Sequence, residues 1–306
     1  FGQFVYPAGK NEIFGKMTGD MPYNGEYSFD SLKNTLLKFA GVESTDLVMI
    51  DIPKLPVRPP VLCAGCPHRA SFYAAKTAAK NFEKTVYCGD IGCYTLGNAA
   101  PLNTVDTCLC MGAGITIAQG IKLAENGAKC IAFIGDSTFF HTGIPGVINA
   151  VYQNTDITIA VLDNHTTAMT GGQPHPGTGR TAMGMPAKPL DIEKILRACG
   201  LEHISTVDPF KYEDTVDAFR SAMEHSGPSA VIAKAPCIAL IKLPKTVRRV
   251  NETCIGCLKC IKQLGCPAMS VGSDGKVVIN ESICTDCSLC VKVCPVGAIK
   301  KVDRNV

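Results

Sequence analysis

Several features are missing from this 306-residue sequence, and each absence argues against one class of protein. No apolar stretch approaches the roughly 20 residues of a membrane-spanning helix, and runs such as Ile157–Leu162 are far shorter. There is no tryptophan and no dense basic run, and the net charge is only +3 (30 − 27), so nucleic-acid binding has little support. The content of 46% hydrophobic and 19% charged residues excludes a disordered chain.

The sequence opens on Phe1 rather than on an initiator methionine, and no signal-peptide pattern follows it. We therefore expect a segment of a longer chain. Cysteine, in contrast, is abundant: there are 17, and eight of them fall between Cys254 and Cys294. Disulfide frameworks belong mostly to small secreted domains, so this density in a large chain without a signal peptide predicts metal ligation.

Three regions follow one another along the chain. Residues 1–60 are weakly patterned and are predicted to form an N-terminal segment with one helix over Ser31–Ala40 and a proline-rich linker over Asp51–Pro60. Residues 61–243 alternate apolar strands with amphipathic helices, which predicts an α/β domain whose parallel sheet is covered on both faces. Residues 244–306 are too few for much of a core and are predicted to form a small α+β domain that needs metal to fold.

The alternation in the middle region defines individual elements. The predicted strands are Thr85–Cys88, Cys130–Ile134, Ile157–Leu162, His203–Val207 and Ala230–Lys234. The predicted helices are Gly114–Glu125, Pro145–Gln153, Asp191–Cys199 and Tyr212–His225. In folds of this class, ligands bind at the carboxyl ends of the strands.

The last region contains an internal cysteine repeat with an offset of 30 residues. In each half, three cysteines are two residues apart and a fourth precedes a proline, which is typical of bacterial ferredoxins with two [4Fe–4S] clusters. The fourth cysteine of each half ligates the other cluster. The predicted ligand sets are Cys254, Cys257, Cys260 and Cys294 for one cluster, and Cys284, Cys287, Cys290 and Cys266 for the other.

The gap before Cys266 is longer than usual, which predicts a bulged loop near the second cluster. A pair of zinc ribbons is the alternative interpretation of the repeat. Zinc sites of that kind need neither a third cysteine in each half nor a Cys-Pro pair, so iron–sulfur ligation is favoured.

Two strand ends in the middle region carry oxygen ligands. Gly135-Asp136-Ser137 follows one strand, and Asp163-Asn164 ends the next. A single βαβ crossover separates them, so both lie at the same edge of the sheet. A carboxylate and an amide carbonyl suit Mg²⁺ on a diphosphate, and Gly135 permits a close backbone approach. A strand-end turn capped by an aspartate would explain the same residues without a ligand.

These residues resemble the thiamine diphosphate motif, and Asp163–Gln173 is similar to the corresponding segment of 2-oxoacid:ferredoxin oxidoreductases. With Cys63–Arg69, Asp90–Tyr94 and the ferredoxin-like tail, the sequence most resembles the C-terminal half of the α subunits of indolepyruvate ferredoxin oxidoreductases, from about Val61 onward. The resemblance implies oxidative decarboxylation of aryl 2-oxoacids on thiamine diphosphate. Electrons would pass through [4Fe–4S] clusters to ferredoxin, and coenzyme A would take the acyl group.

The resemblance also implies roles for single residues. Mg²⁺ would be held by Asp136, Asn164 and the backbone carbonyl of Thr166. The implied cofactor-binding residues are Gly92, Cys93, Gly135, Asp136, Ser137, Asn164, Thr166 and Gly171. The candidate catalytic residues are His68, His141, His165 and Met169. A third, proximal [4Fe–4S] cluster would be held by Cys63, Cys66, Cys93 and Cys237, with packing roles for Cys66 and Cys93 as the alternative.

The remaining cysteines and histidines are given structural roles. Cys88, Cys108, Cys110, Cys130 and Cys199 are predicted to be buried small hydrophobes. His175 is predicted to shape a Gly/Pro loop, and His203 and His225 to be structural.

Partners and alternatives complete the prediction. Thiamine enzymes use a glutamate on a pyrimidine-binding domain that we do not recognise in these residues, so we expect a second subunit or a further domain, and a hetero-oligomer. A pyruvate or 2-oxoglutarate enzyme is the nearest alternative, a pure iron–sulfur electron-transfer subunit is another, and a zinc scaffold is a third. Low-potential, exposed clusters favour an anaerobic cytoplasm.

Overall fold

The computed structural model describes residues 14–43, 59–125 and 127–304. The chain divides into two compact units, Phe1–Arg58 and Pro59–Val306. In the first unit, α1 (Phe29–Phe39) begins after Ser28, whose hydroxyl accepts a hydrogen bond from the Ser31 N–H at 3.1 Å, as an N-cap does. The helix predicted over 31–40 is thus confirmed, with its bounds shifted by one or two residues. The linker predicted over 51–60 lies almost wholly outside the described residues.

A five-stranded parallel sheet lies at the centre of the second unit. Its strands are β1 (Thr85–Cys88), β2 (Lys129–Gly135), β3 (Thr158–Asp163), β4 (His203–Val207) and β5 (Ser229–Lys234). They lie in the order β1-β2-β3-β5-β4, and every pairing is parallel. Each predicted strand is present within one residue of its expected bounds, which confirms the predicted α/β class.

Helices cover both faces of this sheet. They are α2 (Pro67–Ala79), α3 (Ala113–Ala124), α4 (Asp136–Thr138), α5 (Ile144–Tyr152), α6 (Ile192–Ala198) and α7 (Tyr212–Glu224). On one face, Phe72 of α2 and Phe219 of α7 pack with Phe133 of β2. On the other face, Ile115 of α3 packs with Ile134 of β2. Because successive strand residues point to opposite faces and both faces are buried, the central strands are continuous apolar runs.

The sequence pattern does not predict α2. This helix begins with Pro67, which is favoured at the first helical position because its missing N–H has no partner to lose there. The segment Cys63–Arg69 was interpreted only as a ligand motif, although Ala70, Phe72 and Ala74, which follow it on the same helix, are fully buried. As a result, His68 lies in the first turn of a buried helix.

The cysteine-rich tail, residues 244–304, consists of two small antiparallel sheets and two short helices. The elements are β6 (Thr246–Val250), α8 (Lys259–Leu264), β7 (Met269–Val271), β8 (Val277–Ile279), α9 (Leu289–Val293) and β9 (Ile299–Asp303). β6 pairs with β9, and β7 pairs with β8. Its buried cluster combines apolar residues such as Val247 and Val277 with Cys260 and Cys284, so the cysteines form part of the core.

The tail packs against α2. Leu264, Leu289 and Val293 share a buried cluster with Ala70 of α2. The Tyr73 hydroxyl donates a hydrogen bond to Gln263 Oε1 at 2.7 Å. The α/β region and the tail are therefore joined by apolar and polar contacts. Among the described residues, the structure contains no helix that is long and apolar enough to cross a membrane.

Candidate functional site

An open cleft lies at the carboxyl ends of β2 and β3. Nine of the predicted site residues line it: His68, Gly92, Cys93, Gly135, Asp136, Ser137, Asn164, Thr166 and Met169. Gly171 lies just beyond the lining residue Thr170, in the same loop. The crossover connection between β2 and β3 thus brings the two strand ends together, as parallel pairing requires.

Asp136 links the two strand ends. Its Oδ1 accepts a hydrogen bond from the Ser137 N–H at 2.7 Å, and its Oδ2 accepts from the N–H groups of Asn164 at 3.1 Å and His165 at 2.8 Å. Burial raises the pKa of this carboxyl, but the neighbouring His175 ring and the hydrogen bond from the Ser137 N–H outweigh it, so the pKa lies below its usual value. Asp136 is therefore an oriented, buried carboxylate.

Asn164 is oriented from two sides. Its Oδ1 accepts a hydrogen bond from the Thr166 N–H at 3.2 Å, and its Nδ2 lies 3.2 Å from His68 Nε2. Burial lowers the pKa of His68 to about 4, so its imidazole is neutral at neutral pH. A neutral ring accepts a hydrogen bond from the amide nitrogen, which leaves the Asn164 carbonyl oxygen for a ligand.

Tyr94 forms part of the cleft and was not identified from the sequence. A Cβ added to Gly92 or Gly135 would lie 2.4 or 2.5 Å from a ring carbon of Tyr94. The Tyr94 hydroxyl donates a hydrogen bond to the Ile91 carbonyl at 3.0 Å and lies 3.1 Å from the Thr138 hydroxyl. The Tyr94 ring therefore leaves no room for a side chain at position 135. The sequence alone suggests a different reason for Gly135, a close approach of the backbone to a phosphate.

His175 was also missed as a site residue. Its Nε2 lies 3.1 Å from Asp136 Oδ2, and both side chains are only 3% exposed. The Gly177 N–H donates to His175 Nδ1 at 3.2 Å, so the ring proton is on Nε2, facing the carboxylate. The ring also stacks on Phe140. His175 is therefore part of the support of Asp136, in addition to shaping its loop.

Two predicted catalytic histidines do not line the cleft. His141 is exposed on the short π-helix (Phe139–Gly143) that connects α4 and α5. The backbone of His165 has a φ of 64°, and its side chain lines a neighbouring cavity, where Nδ1 lies 3.4 Å from Asp163 Oδ1. Both histidines are close to Asp136 or Asn164 in sequence, but neither ring points into the cleft.

Four cysteines from three separate segments lie beside the cleft. Cys63 and Cys66 belong to one turn, in which the Cys66 N–H donates to the Cys63 carbonyl at 3.3 Å. The Cys237 N–H donates to the Asn164 carbonyl at 2.9 Å, which ties Cys237 to the end of β3. Burial raises the pKa of Cys93, and the nearby thiols of Cys237 and Cys63 raise it further. Cys93 therefore lies close to both.

The tail contains two cysteine-lined pockets. The outer pocket is lined by Cys254, Cys257, Cys260 and Cys294. The inner pocket is lined by Cys266, Cys284, Cys287 and Cys290, and also by Cys66 and Arg69 from the α2 region. Burial raises the pKa of Cys290, as do the thiols of Cys287, Cys266, Cys284 and Cys260, so the two pockets adjoin. The four cysteines of each predicted ligand set therefore line the same pocket.

The chemistry of these donor sets suits the implied groups. A carboxylate, an amide oxygen and a backbone carbonyl are hard ligands for Mg²⁺, and four thiols suit a [4Fe–4S] cluster. Within residues 14–43, 59–125 and 127–304, no group of three or more His, Cys, Asp or Glu side chains is arranged to hold a single metal ion. A cubane cluster has one iron for each thiolate, so its four ligands need not converge on one point.

The extra residues before Cys266 contact the α/β region. These residues form the end of α8 and the glycine that follows it, Gly265. A Cβ added to Gly265 would lie 2.5 Å from Pro101.

The prediction that Cys108 and Cys110 are buried is wrong, since both are exposed in the loop before α3. Cys88 and Cys130 are buried, and Cys199 is half-buried.

Two family models match the chain. Residues 90–233 match the C-terminal TPP-binding domain of thiamine pyrophosphate enzymes, and residues 277–300 match a 4Fe-4S binding domain. Indolepyruvate oxidoreductase subunit IorA of Archaeoglobus fulgidus is 41% identical over 98% of this chain and 50% of its own length. The 2-oxoglutarate synthase subunit KorB of the same organism is 32% identical over 58% of this chain and 70% of its own length. The chain belongs to the thiamine diphosphate-dependent 2-oxoacid:ferredoxin oxidoreductase family.

Further relatives agree with this family. IorA of Methanothermobacter marburgensis is 42% identical over 94% of this chain and 47% of its own length. The chain thus spans about half the length of the IorA relatives it matches, and it corresponds to their C-terminal half. A 2-oxoglutarate:ferredoxin oxidoreductase from Magnetococcus marinus shares the fold, with a TM-score of 0.52 and 21% identity over 60% of this chain and 67% of that chain.

Proposed function

We propose that this chain forms the thiamine diphosphate-binding and electron-transfer part of an indolepyruvate ferredoxin oxidoreductase. The reaction would convert an aryl 2-oxoacid, coenzyme A and two oxidised ferredoxins into acyl-CoA, CO₂, a proton and two reduced ferredoxins. The observation that carries the proposal is the cleft in which Asp136 and Asn164 meet, beside cysteines that continue into the tail. The names of the 41–42% identical relatives support the aryl substrate.

The cleft residues would hold the cofactor. Asp136, Asn164 and the Thr166 carbonyl would ligate Mg²⁺, while the backbone near Gly135 and Ser137 would bind the diphosphate. When bound, thiamine diphosphate would supply the electron sink for the electron pair that the loss of CO₂ leaves on the substrate carbon. Met169, His68, Gly92 and Cys93 line the same cleft and would border its rings. His68 is neutral and would act as a hydrogen-bonding group rather than a cation.

His141 and His165 are not included in this catalytic set. The His141 side chain is exposed, and His165 lines a different cavity with Asp163. Gly171, with φ 114°, ends the short 3₁₀ helix that carries Met169 and would bring its backbone close to the cofactor.

The cysteines suggest an electron route. Cys63, Cys66, Cys93 and Cys237 would hold a proximal cluster next to the cleft. The inner pocket, which Cys66 also lines, would hold the second cluster, and the outer pocket the third. Cys257 of the outer pocket is exposed, which suits electron delivery to an external ferredoxin. An anaerobic cytoplasm would suit such clusters.

A second subunit or a further domain would complete the active site. The glutamate that tunes the aminopyrimidine would come from a pyrimidine-binding domain, which makes a hetero-oligomer the expected form. The domain boundaries we propose are 1–60 for the N-terminal segment, 61–243 for the thiamine-binding domain and 244–306 for the ferredoxin domain.

The test is a viologen- or ferredoxin-linked assay of the complex with its co-purifying subunit. Indolepyruvate and phenylpyruvate should reduce the acceptor in a coenzyme A-dependent reaction, with a kcat/KM at least about tenfold above that for pyruvate or 2-oxoglutarate, a difference of about 1.4 kcal/mol. A preference for either small oxoacid would assign the chain to that alternative specificity. No oxoacid-dependent reduction, with clusters present, would contradict the proposal.

A pure electron-transfer subunit is the second candidate. The intact Asp136 and Asn164, both buried and oriented, argue against it because such a subunit has no use for them. The thiamine and magnesium contents of the purified complex separate the two, and a protein with iron but no thiamine binding would favour the second candidate.

A further inference from the structure

We propose that Arg69 is a positioning residue for electron transfer. Its uncompensated positive charge lies between the Cys63–Cys66 turn and the inner pocket, where it raises the reduction potential of the cluster bound there. The inference rests on the proposed function, because it requires clusters at both places. It concerns a residue that would touch neither substrate nor thiamine.

The Arg69 guanidinium bridges two parts of the fold. The side chain is on α2 and is only 4% exposed. Its Nη2 donates to the Leu62 carbonyl at 2.5 Å and more weakly to the Cys63 carbonyl at 3.4 Å. Its Nη1 donates to the Leu264 carbonyl at the end of α8, at 2.6 Å. The group thus ties the backbone before the Cys63–Cys66 turn to the tail.

This buried cation has no acidic partner among the described residues. Among residues 14–43, 59–125 and 127–304, no carboxylate lies within 4.0 Å of the Arg69 guanidinium as an ion pair, and its Nε has no hydrogen-bond partner there. Arginine remains charged at any physiological pH, and buried charges are normally paired. Arg69 lines the inner pocket together with Cys66 and with Cys266 and Cys290 of the tail. The charge is therefore close to the cysteines that line the inner pocket.

A second arginine of the same pocket makes a useful contrast. Arg248 also lines the inner pocket, but its Nε lies 2.5 Å from Asp286 Oδ1, and Lys301 lies 3.5 Å from the other oxygen of that carboxylate. Of these two arginines, only Arg69 lacks a carboxylate. Four thiolates around a cluster carry negative charge, so the cluster is the anion that Arg69 would compensate.

The consequence is electrostatic. Reduction makes a cluster more negative by one charge, and a nearby fixed cation in a low-dielectric site favours that reduced form. The step is the transfer of one electron from the proximal cluster to the inner one, with no bond made or broken and no proton exchanged. Arg69 keeps its charge throughout and stabilises the reduced form of the inner cluster, whose pocket it lines.

The test compares Arg69→Gln and Arg69→Lys in the complete complex by redox titration followed by electron paramagnetic resonance. In Arg69→Gln, one midpoint should fall so that the ratio of reduced to oxidised cluster at a fixed potential decreases about tenfold, or 59 mV for one electron. Arg69→Lys keeps the charge and should restore most of this ratio. Iron content should equal that of the parent protein in both variants.

A matched control separates charge from packing. The double variant Arg248→Gln with Asp286→Asn removes an ion pair from the same pocket without changing the net charge. In this variant the ratio of reduced to oxidised cluster at a fixed potential should change by no more than about twofold. Parent midpoints in iron-loaded Arg69→Gln would overturn the inference, as would an equal shift in Arg69→Lys. If Arg69→Gln loses iron, Arg69→Lys decides: midpoints close to those of the parent support the inference, and a tenfold fall in the ratio of reduced to oxidised cluster overturns it. A parent complex without iron–sulfur signals would overturn the proposed function itself.

Discussion

The oxygen site at the ends of β2 and β3 and the cysteine pockets of the tail are held in place by different forces. Asp136 is oriented by backbone N–H groups that the sheet and its two apolar faces fix. In the tail, Cys260 and Cys284 are themselves members of the small buried cluster. The first site is therefore organised before its ligand binds, whereas the second depends on its ligand for part of its folding.

The largest expected effect is that of iron removal, which should affect the two regions differently. Chelation of iron should unfold residues 244–304 and leave the parallel sheet folded, because metal binding contributes directly to the folding of such small domains. Hydrogen exchange should show loss of protection in β6 and β9 and retained protection in β2 and β3. Retained protection in the tail without iron would contradict this difference between the regions.

Asp136→Ala should remove the oxygen site without disturbing the tail. We expect Mg²⁺-dependent binding of thiamine diphosphate to weaken by more than about a hundredfold, because groups that only support metal ligands already account for 10- to 100-fold. Calorimetric titration measures the affinity, and dithionite reduction reports the clusters. Asp217→Ala is the control, since its side chain is 69% exposed on α7 and pairs only with Arg220. Wild-type affinity in Asp136→Ala would contradict the assignment of the ligand.

Cys93→Ala tests whether the α/β region also holds a cluster. Iron content should fall by about four atoms per chain if the proximal cluster exists, and thiamine binding should persist. Cys199→Ala is a matched control, because this half-buried cysteine lies at the end of α6, outside the three cysteine groups. Equal iron in the two variants would return Cys63, Cys66, Cys93 and Cys237 to packing roles.

His175→Phe tests how far the oxygen site depends on its support. Phenylalanine keeps the stacking on Phe140 but loses the N–H that faces Asp136, so we expect the affinity for Mg²⁺ and thiamine diphosphate to fall about tenfold. His175→Gln retains a donor and should recover part of the loss. His203→Phe is the control at a distant site. Unchanged affinity in His175→Phe would limit this residue to loop packing.

The smallest expected effect is a pH dependence confined to the α/β region. Burial, and then the charge of the stacked His225, lower the pKa of His203 from 6.5. The unfolded chain therefore binds more protons than the folded one just below pH 6.5, and the free energy of unfolding should fall as the pH drops through that value. His68, whose pKa is lowered to about 4, contributes in the same direction, so His203→Gln should reduce this slope in chemical denaturation without abolishing it. All six histidines precede residue 244, so β6 and β9 should not respond through histidine.

The parts of the molecule that were predicted from the sequence depend on local patterns. The strands β1 to β5 follow from apolar runs, and the shared edge of Asp136 and Asn164 follows from one crossover between parallel strands. The cysteine sets of the two pockets follow from the spacing of the repeat. In contrast, α2 was missed because its first turn coincides with a cysteine motif. The directions of the His141 and His165 rings were not predictable, because they depend on local backbone geometry such as the positive φ of His165.

The sequence by itself determined the order of elements, the sheet edge that carries the oxygen ligands and the grouping of the tail cysteines, because strand periodicity and ligand spacing are local properties. Only the tertiary structure decided which distant residues support these sites. His175 lies against Asp136, Tyr94 requires glycine at positions 92 and 135, and Arg69 reaches Leu264, which is 195 positions away in sequence. Such contacts arise when whole layers pack together, and no short segment of sequence encodes them.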